Sequence, residues 1–190
     1  MYVFLIGLFQ WILVLILLIT LSLFFIWTWG GIKSKIPFIS VPTVILPDIY
    51  KALDLKENSI VYDLGSGDAR VLFYALKNNP KAKYIGIENA PFPVILSKLT
   101  AWFYSRKNKG HIEIKNVDFF KENLSNATHI FTYLGPKAMD DLLLKFDDEL
   151  KEGTRLVSAT FSFTSKRPIM EIDLKRSKFK LARKLYVYEF

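Results

Sequence analysis

The chain contains no cysteine, which excludes disulfide bonds, thiolate metal sites and cysteine nucleophiles. It has only two histidines, His111 and His129, and neither stands in a cluster of metal ligands; we therefore expect no metal site. At 190 residues the chain is long enough for one domain with a sizeable core. Its formal net charge of +8 suits an anionic membrane surface, a nucleic acid or simple solubility.

The N-terminal segment Val3–Trp29 lacks charge altogether, and no lysine or arginine precedes it. A transmembrane helix needs about 20 mainly apolar residues, so we predict a single-pass membrane anchor at residues 3–29. Two tryptophans stand at its C-terminal end, where amphipathic rings favour the membrane interface. Lys33 and Lys35 follow, and the positive-inside rule then predicts a cytoplasmic C-terminal domain.

A cleaved signal peptide and a buried core helix are the alternatives for this segment. A signal peptide has a basic start, a shorter apolar region and small residues at its cleavage site, whereas this start is uncharged and Thr28-Trp29-Gly30 is a poor cleavage site. A core helix would carry polar residues on one face, and this segment has no such face. Both alternatives therefore fit less well than an anchor.

Beyond the anchor, residues 30–47 are rich in proline and predict a linker, and residues 48–190 predict one domain of alternating strands and helices. We predict strands at 59–64, 84–87, 111–117, 128–134, 155–159, 169–174 and 184–188, and helices at 47–53, 69–77, 92–107 and 138–150. The alternation predicts a parallel sheet covered on both faces. No strong helix separates the last two strands, which predicts an antiparallel pair at the sheet edge.

A loop with two glycines, Gly65 and Gly67, joins the first strand to the helix that follows. Ligands of open parallel sheets bind at this edge, outside the carboxyl ends of the strands. The loop lacks the third glycine of the dinucleotide motif G-x-G-x-x-G, because Arg70 takes that position, and it lacks the P-loop pattern. Asp63 and Asp68 oppose a pyrophosphate, and their charge suits a cationic ligand with an amino group and a sulfonium.

Two further acidic residues complete the pattern of an adenosine-binding site. Glu88 ends the second strand about 20 residues after the glycine loop, where a carboxylate accepts hydrogen bonds from ribose hydroxyls. Asp118 and Phe119 follow the third strand and offer an acceptor for an exocyclic amine and an aromatic wall for adenine. Each feature alone is common in α/β proteins; together they predict an adenosine-type ligand.

With these features, residues 45–190 resemble the class I, seven-strand methyltransferases that depend on S-adenosylmethionine. A narrower resemblance is to the membrane-anchored lysine methyltransferases of the ATP synthase c-subunit and the adenine nucleotide translocase, and to their prokaryotic relatives. Besides the apolar N-terminus, the matching stretches are Pro37-Phe38-x-x-x-Pro42-Thr43, Asp63-Leu-Gly-Ser-Gly-Asp-Ala-Arg70, Gly86-Ile-Glu88-Asn89, Leu150-Lys-Glu-Gly-Thr-Arg155 and Phe161-Ser-Phe163.

The resemblance implies a Rossmann-like sheet of seven strands with a terminal antiparallel pair, S-adenosylmethionine as cofactor and no metal. The cofactor-binding residues that it implies are Asp63, Gly65, Ser66, Gly67, Asp68, Glu88, Asn89, Asp118 and Phe119. Within this set, Asp63 and the two glycines would cradle the methionine part, and Glu88 would hold the ribose. Tyr133, at the end of the fourth strand, is the implied catalytic residue; its alternative is a core tyrosine. Ala69 departs from the family, which usually has glycine there.

The leading functional hypothesis is a protein-lysine N-methyltransferase that acts on a membrane or membrane-associated protein, because a membrane tether raises the effective concentration of membrane partners. A small-molecule methyltransferase acting on a quinone or lipid headgroup is the first alternative. A non-catalytic cofactor-binding module is the second. Nucleic-acid methylation is weaker: the basic stretch 175–184 allows it, but no Asn-Pro-Pro-Tyr motif follows the fourth strand.

Overall fold

The computed structural model describes residues 2–33, 39–107, 110–174 and 182–190, and for residues 2, 3, 26, 27, 29–33 and 105–107 it describes the backbone alone. Several residues singled out above lie outside the described ranges: Lys35, Pro37, Phe38 and residues 175–181 of the basic stretch.

Helix α1, Tyr2–Lys33, contains the apolar segment Phe4–Phe25, which is 22 residues long and none of which is buried. By length and composition this segment is able to cross a membrane. The hydroxyls of Thr20 and Ser22 donate to backbone carbonyls one turn earlier, both at 2.8 Å, so the helix itself satisfies these two hydroxyls, which lowers their cost in apolar surroundings. The exposure of the whole segment is contrary to a buried core helix.

The chain then enters the domain through a 3₁₀ turn, Thr43–Ile45, and helix α2, Leu46–Leu53. Pro47 lies in the first turn of α2, where its missing N–H leaves no helical hydrogen bond unmade. The helix ends at Asp54, which adopts a left-handed conformation with φ of 51°. Val41 and Ile45 are buried in the same core cluster as α2.

Seven strands form one sheet in the order β3-β2-β1-β4-β5-β7-β6. In chain order the elements are β1 Ile60–Leu64, α3 Arg70–Asn78, β2 Lys83–Ile87, α4 Pro91–Lys107, β3 His111–Lys115, β4 His129–Thr132, α5 Pro136–Glu149, β5 Arg155–Ala159, β6 Met170–Asp173 and β7 Lys184–Glu189. The first five strands are parallel, and β7 pairs antiparallel with both β5 and β6. The α/β fold and the terminal antiparallel pair predicted from the sequence are confirmed.

Alternating side chains of the strands supply two cores, one on each face of the sheet. On one face, Val61 packs with α3, and α2 covers β4, β5 and β7. On the other face, Tyr62 and Leu64 pack against Met139, Leu142 and Phe146 of α5. Both faces of the central strands are therefore apolar, which explains why these strands have few polar positions.

The strand order reverses between β1 and β4, which run parallel with Leu64 beside Thr132. Chain segments leaving the carboxyl ends of these two strands diverge to opposite faces of the sheet, and the crevice left between them is where open α/β sheets bind their ligands. Gly65 and Tyr133 are the first residues beyond the two strands, so both lie at this crevice.

Candidate cofactor site and methyltransferase family

A cleft lies at the point where the strand order reverses. It is lined by Ile39, Ser40, Val41, Asp63, Gly65, Ser66, Gly67, Asp68, Arg70, Val71, Phe131 and Tyr133. Six residues predicted from the sequence to serve the site therefore share one cleft: the loop residues from Asp63 to Asp68 except Leu64, together with Tyr133. Segment 39–41, which lies inside the Pro37–Thr43 stretch but had no predicted role in the site, forms another part of its wall.

The glycine loop is held open by hydrogen bonds to the neighbouring strand. The backbone N–H groups of Gly65 and Ser66 both donate to the carbonyl of Ile87, at 2.9 and 3.0 Å. Gly65 has φ of +74° and Gly67 has φ of +56°, a region that costs residues with a Cβ about 1–2 kcal/mol. The backbone of the turn therefore favours glycine at both positions.

Ala69 shares this left-handed conformation, with φ of 58°, although it carries a Cβ. Its methyl group is fully buried in the core beside α3. The departure from the usual glycine therefore leaves the loop path intact, with burial of a methyl group offsetting backbone strain of similar size.

Glu88 joins the loop to the end of β2. Its two carboxylate oxygens accept hydrogen bonds from the backbone N–H groups of Gly67, at 2.9 Å, and Ala90, at 2.8 Å. The side chain is 8% exposed, so these charge-assisted bonds lie in poorly solvated surroundings. Asn116 adds a third contact by donating to the backbone carbonyl of Glu88 at 3.0 Å. Sequence reasoning had missed Asn116, and its only signal is a position just past β3.

Asp63 is the most strongly perturbed carboxyl group of the site. It is 3% exposed, and burial, followed by the nearby Glu88 and Asp68, raises its pKa well above the ordinary value. A cation placed beside Asp63 would favour its ionised form and reverse that shift. Asp63 thus fits a ligand that brings a positive charge into the cleft.

Asp68 has a different environment from Asp63. It forms an ion pair with Arg70, whose Nε lies 2.9 Å from both carboxylate oxygens, and it accepts from the backbone N–H of Arg70 at the start of α3. Arg70 also donates to the carbonyl of Val41 at 2.9 Å. Its guanidinium therefore connects the glycine loop to the segment that follows the apolar helix.

The Ser66 hydroxyl is buried and has no hydrogen-bond partner among the described residues. A buried hydroxyl without a partner costs roughly 1–3 kcal/mol, so a polar group of a bound ligand would stabilise it. Gly86 on β2 makes room for this side chain, because a Cβ there would come within 2.8 Å of the Ser66 hydroxyl oxygen.

Tyr133 is half-buried at the cleft, and its hydroxyl forms a side-chain hydrogen bond with Thr160. Burial raises the pKa of Tyr133, so its hydroxyl stays protonated at neutral pH. Thr160 follows β5 with φ of +75°, an unusual backbone conformation for a β-branched residue. Strain of this kind clusters at functional sites. Nothing in the sequence distinguishes Thr160 from other threonines.

Four predicted site residues are not part of the lining of this cleft: Glu88, whose contacts with the glycine loop are described above, and Asn89, Asp118 and Phe119. Asn89 is exposed, in the turn before α4. Asp118 accepts from the backbone N–H of Phe120 at 3.0 Å, which forms a turn after β3. Phe119 is buried in the cluster that contains Leu64. Their roles toward a ribose or an adenine ring remain predictions.

The features of the cleft fit S-adenosylmethionine. Its amino group and sulfonium are cations of the kind that Asp63 favours, its ribose hydroxyls are donors suited to Glu88, and Ser66 offers a free hydrogen-bonding group. A nucleoside triphosphate fits poorly, because three carboxylates lie in or beside the cleft where phosphates would need donors.

The chain is similar to two proteins that are named as lysine N-methyltransferases. Over 152 residues the chain is 27% identical to a protein-lysine N-methyltransferase of Saccharolobus islandicus (strain REY15A), covering 80% of this chain and 93% of that protein. It is 28% identical over 131 residues to the lysine N-methyltransferase of the ATP synthase c-subunit from Xenopus laevis, covering 69% of this chain but only 56% of that protein.

A solved structure is similar over the same region. The crystal structure of an RNA methyltransferase from Salinibacter ruber, in complex with S-adenosyl-L-homocysteine, matches with a TM-score of 0.71 and 26% identity, covering 80% of this chain and 93% of that one. S-adenosylhomocysteine is what remains of S-adenosylmethionine after methyl transfer, in agreement with the predicted cofactor. The family model described as the ANTKMT methyltransferase domain matches residues 63–170, more than half of the chain, and the chain therefore belongs to this methyltransferase family.

Proposed function

We propose that the protein is an S-adenosylmethionine-dependent protein-lysine N-methyltransferase that modifies a membrane or membrane-associated protein. Residues 3–29 are the membrane anchor, 30–47 the linker and 48–190 the catalytic domain, which lies on the cytoplasmic side. The names of the relatives support lysine as the acceptor, since those from Saccharolobus islandicus and Xenopus laevis are both described as lysine N-methyltransferases.

The observation that carries this proposal is the shared wall of the cleft. Residues 39–41 line the same cleft as Asp63, the glycine loop and Tyr133, and residue 39 follows the end of α1 at Lys33 by only six positions. Six extended residues span at most about 20 Å. If Phe4–Phe25 spans a bilayer, the eight remaining residues of α1 add about 12 Å. Residue 39 then lies within about 32 Å of the membrane surface, which brings the cleft within reach of a lysine of a membrane protein.

The residues of the site would each bind a different part of the cofactor. When bound, S-adenosylmethionine supplies a methyl group on a positively charged sulfur. Asp63 would hold the amino end of the cofactor, Glu88 would accept from the ribose, and Ser66 would bond to a polar group between them. The enzyme must then hold a lysine amine in line with the methyl group, and positioning of this kind is worth several kcal/mol of the barrier.

The acceptor amine must be neutral before it can attack. Desolvation lowers the pKa of a lysine, because burial disfavours its charged form. Tyr133 is placed to orient such an amine through its hydroxyl, which Thr160 holds by a hydrogen bond. We assign Tyr133 the catalytic role and Thr160 a supporting position behind it.

A direct test is methyl transfer by the full chain in lipid nanodiscs, using S-adenosylmethionine labelled in the methyl group and membranes separated into protein and lipid fractions. We expect label in protein, at lysine side chains identified by mass spectrometry. Label in the lipid fraction would instead indicate the quinone or headgroup alternative. Cofactor binding without any transfer would indicate a non-catalytic module.

Tyr133→Phe tests the assigned catalytic residue. We expect turnover to fall about tenfold, the worth of one hydrogen bond of about 1.4 kcal/mol, with an unchanged cofactor dissociation constant. The matched control is Tyr74→Phe, because Tyr74 is half-buried in α3 and does not line the cleft. Equal turnover in the two variants would remove Tyr133 from the mechanism.

RNA methylation is the second candidate function. It is favoured by the description of the Salinibacter ruber structure as an RNA methyltransferase and by the net charge of +8, which suits a polyanion. Adding total RNA to the labelling reaction separates the two acceptors, and label in RNA that depends on Tyr133 would favour this candidate over lysine methylation.

A further inference from the structure

Helix α4 exposes an apolar face that the described residues of the domain do not cover. The exposed large side chains at positions 92–103 are Phe92, Ile95, Leu96, Leu99, Trp102 and Phe103, each between 40% and 58% exposed. Their spacing of three and four residues places them along one side of the helix. The opposite side packs on the domain, where Val94 and Ser97 are buried and Tyr104 stacks on Phe73 of α3.

This face is unusual for a surface helix in contact with water. Lys98 is the only charged residue from position 91 to position 104, whereas a solvated helix carries charged residues on its outer side. A 17-residue helix is about 25 Å long, and contiguous apolar patches of this extent mark sites of interaction with a protein or a membrane.

Two observations favour a bilayer as the occupant. Helix α4 contacts α1, the helix whose segment Phe4–Phe25 is itself apolar and unburied, so the two helices are neighbours. Basic residues also follow each apolar stretch in the sequence: Lys33 comes after Phe4–Phe25, and Arg106 and Lys107 come after Phe103. Lysine and arginine beside an apolar face are attracted to anionic headgroups.

The aromatic content of the face points the same way. Phe92, Trp102 and Phe103 make up half of the six side chains, and tryptophan and phenylalanine are typical of the membrane-facing side of interfacial helices. The rings of Trp102 and Phe103 lie edge-to-face, 4.8 Å apart, and form a bulky apolar end to the face. An apolar helix face that lies in the interface is buried about 5–10 Å deep, at the boundary between headgroups and acyl chains.

We propose that the exposed face of α4 lies in the lipid bilayer as a second membrane contact of the domain, beside the anchor α1. Because Glu88 stands three residues before Pro91, the first residue of α4, this contact would hold the ribose side of the cleft against the membrane surface. Lysines within the headgroup layer would then be the substrates within reach. The proposal relies on the proposed function for this consequence, and the experiment below separates the failure of one from that of the other.

The absence of cysteine allows a test on the full chain with single-cysteine variants. Leu99→Cys places an environment-sensitive fluorophore on the α4 face, and Leu17→Cys places it on α1. The matched control is Leu144→Cys, because Leu144 is an exposed leucine of α5, which covers the opposite face of the sheet. Each labelled chain is reconstituted at one copy per nanodisc of phosphatidylcholine and phosphatidylglycerol, with or without a lipid carrying a doxyl quencher.

We expect doxyl lipid to quench most of the emission from Leu99→Cys and little from Leu144→Cys, with the reverse order for aqueous iodide. Iodide quenching of both positions alike would overturn the proposal. Shielding of Leu99→Cys from iodide without quenching by doxyl lipid would also overturn it, and would indicate that protein covers the face.

Leu17→Cys keeps the two proposals apart. Lipid quenching at position 17 but not at position 99 would leave the anchor standing and refute the α4 contact. Lipid quenching at position 99 alone would support the α4 contact and refute the anchor. Lack of lipid quenching at both would refute both. Unchanged binding of S-adenosylmethionine by Leu99→Cys checks that this variant is folded.

Discussion

Glu88→Gln is the most informative single change in the site. It replaces one carboxylate oxygen by an NH₂ group, and it tests both the support of the glycine loop and the binding of the ribose. Both carboxylate oxygens of Glu88 accept from backbone N–H groups, those of Gly67 at 2.9 Å and Ala90 at 2.8 Å. Glutamine has one oxygen and one NH₂ group. Whichever way the amide turns, one backbone N–H loses its acceptor and faces another donor.

The expected loss of stability in Glu88→Gln follows from the charge and the burial of Glu88. A hydrogen bond to a charged group is worth about 1.5–3 kcal/mol net, and Glu88 is too buried for water to replace the lost acceptor. For a chain of this size each kcal/mol moves the melting temperature by about 2–4 °C. We expect Glu88→Gln to lower it by about 4–10 °C, measured by circular dichroism in detergent micelles.

The second function is binding of the ribose. If its hydroxyls donate to Glu88, loss of the charge removes about the same 1.5–3 kcal/mol from the complex. The dissociation constant for S-adenosylmethionine should then rise about tenfold to a hundredfold by calorimetry. Glu57→Gln is the control, since Glu57 is exposed and pairs with Lys81 at the surface, where such pairs contribute about 1 kcal/mol or less.

The two measurements refute different parts of the reasoning. A variant that melts like the wild-type protein would show that the Glu88 hydrogen bonds do not hold the glycine loop. A less stable variant with an unchanged dissociation constant would keep the role in the loop and refute the ribose assignment.

Three further changes test other features of the chain. Ala69→Gly should lower the free energy of unfolding by about 1 kcal/mol less than Ala75→Gly does, measured with urea. Both methyl groups are buried, but of the two residues only Ala69 has a left-handed backbone conformation, so equal losses would contradict the strain at Ala69. Burial and then Arg155 lower the pKa of His129 to about 4. The free energy of unfolding should therefore be highest above pH 6.5 and fall by about 1–2 kcal/mol, after solvent screening, as the pH drops toward 4. His129→Gln should abolish this pH dependence. Binding of S-adenosylmethionine should release a proton from Asp63 when the pH is lowered toward the raised pKa of this residue. The heat of binding should then depend on the ionisation enthalpy of the buffer, and the same dependence in Asp63→Asn would refute the assignment to Asp63.

Much of the fold could be predicted because its elements are local. The strand at 60–64 ends in a glycine turn that the residue types dictate, and the predicted helices and strands lie within a few residues of those observed. The antiparallel pair was predictable because no helical pattern separates β6 from β7. The placement of an acid at the end of β2 followed from chain order alone.

Other features depend on contacts between residues that are distant in the chain. Gly67 and Glu88 are 21 positions apart, and Arg70 and the carbonyl of Val41 are 29 apart. Such contacts require the complete sheet before either partner has a neighbour, so a linear pattern contains no sign of them. The support of Tyr133 by Thr160 is of the same kind.

Helix α4 shows most clearly what the sequence determines and what depends on the tertiary structure. Its sequence, apolar on almost every side, is equally typical of a buried helix, and periodicity cannot distinguish the two. The sequence by itself determined that α4 is a helix and that Glu88 precedes it. Only the tertiary structure decided that the domain covers one side and leaves the other bare, because the number of helices that pack on a sheet depends on strand order and connection lengths. The residue types of α4 determine that its surface is apolar, but only the folded chain determines which part of that surface faces outward.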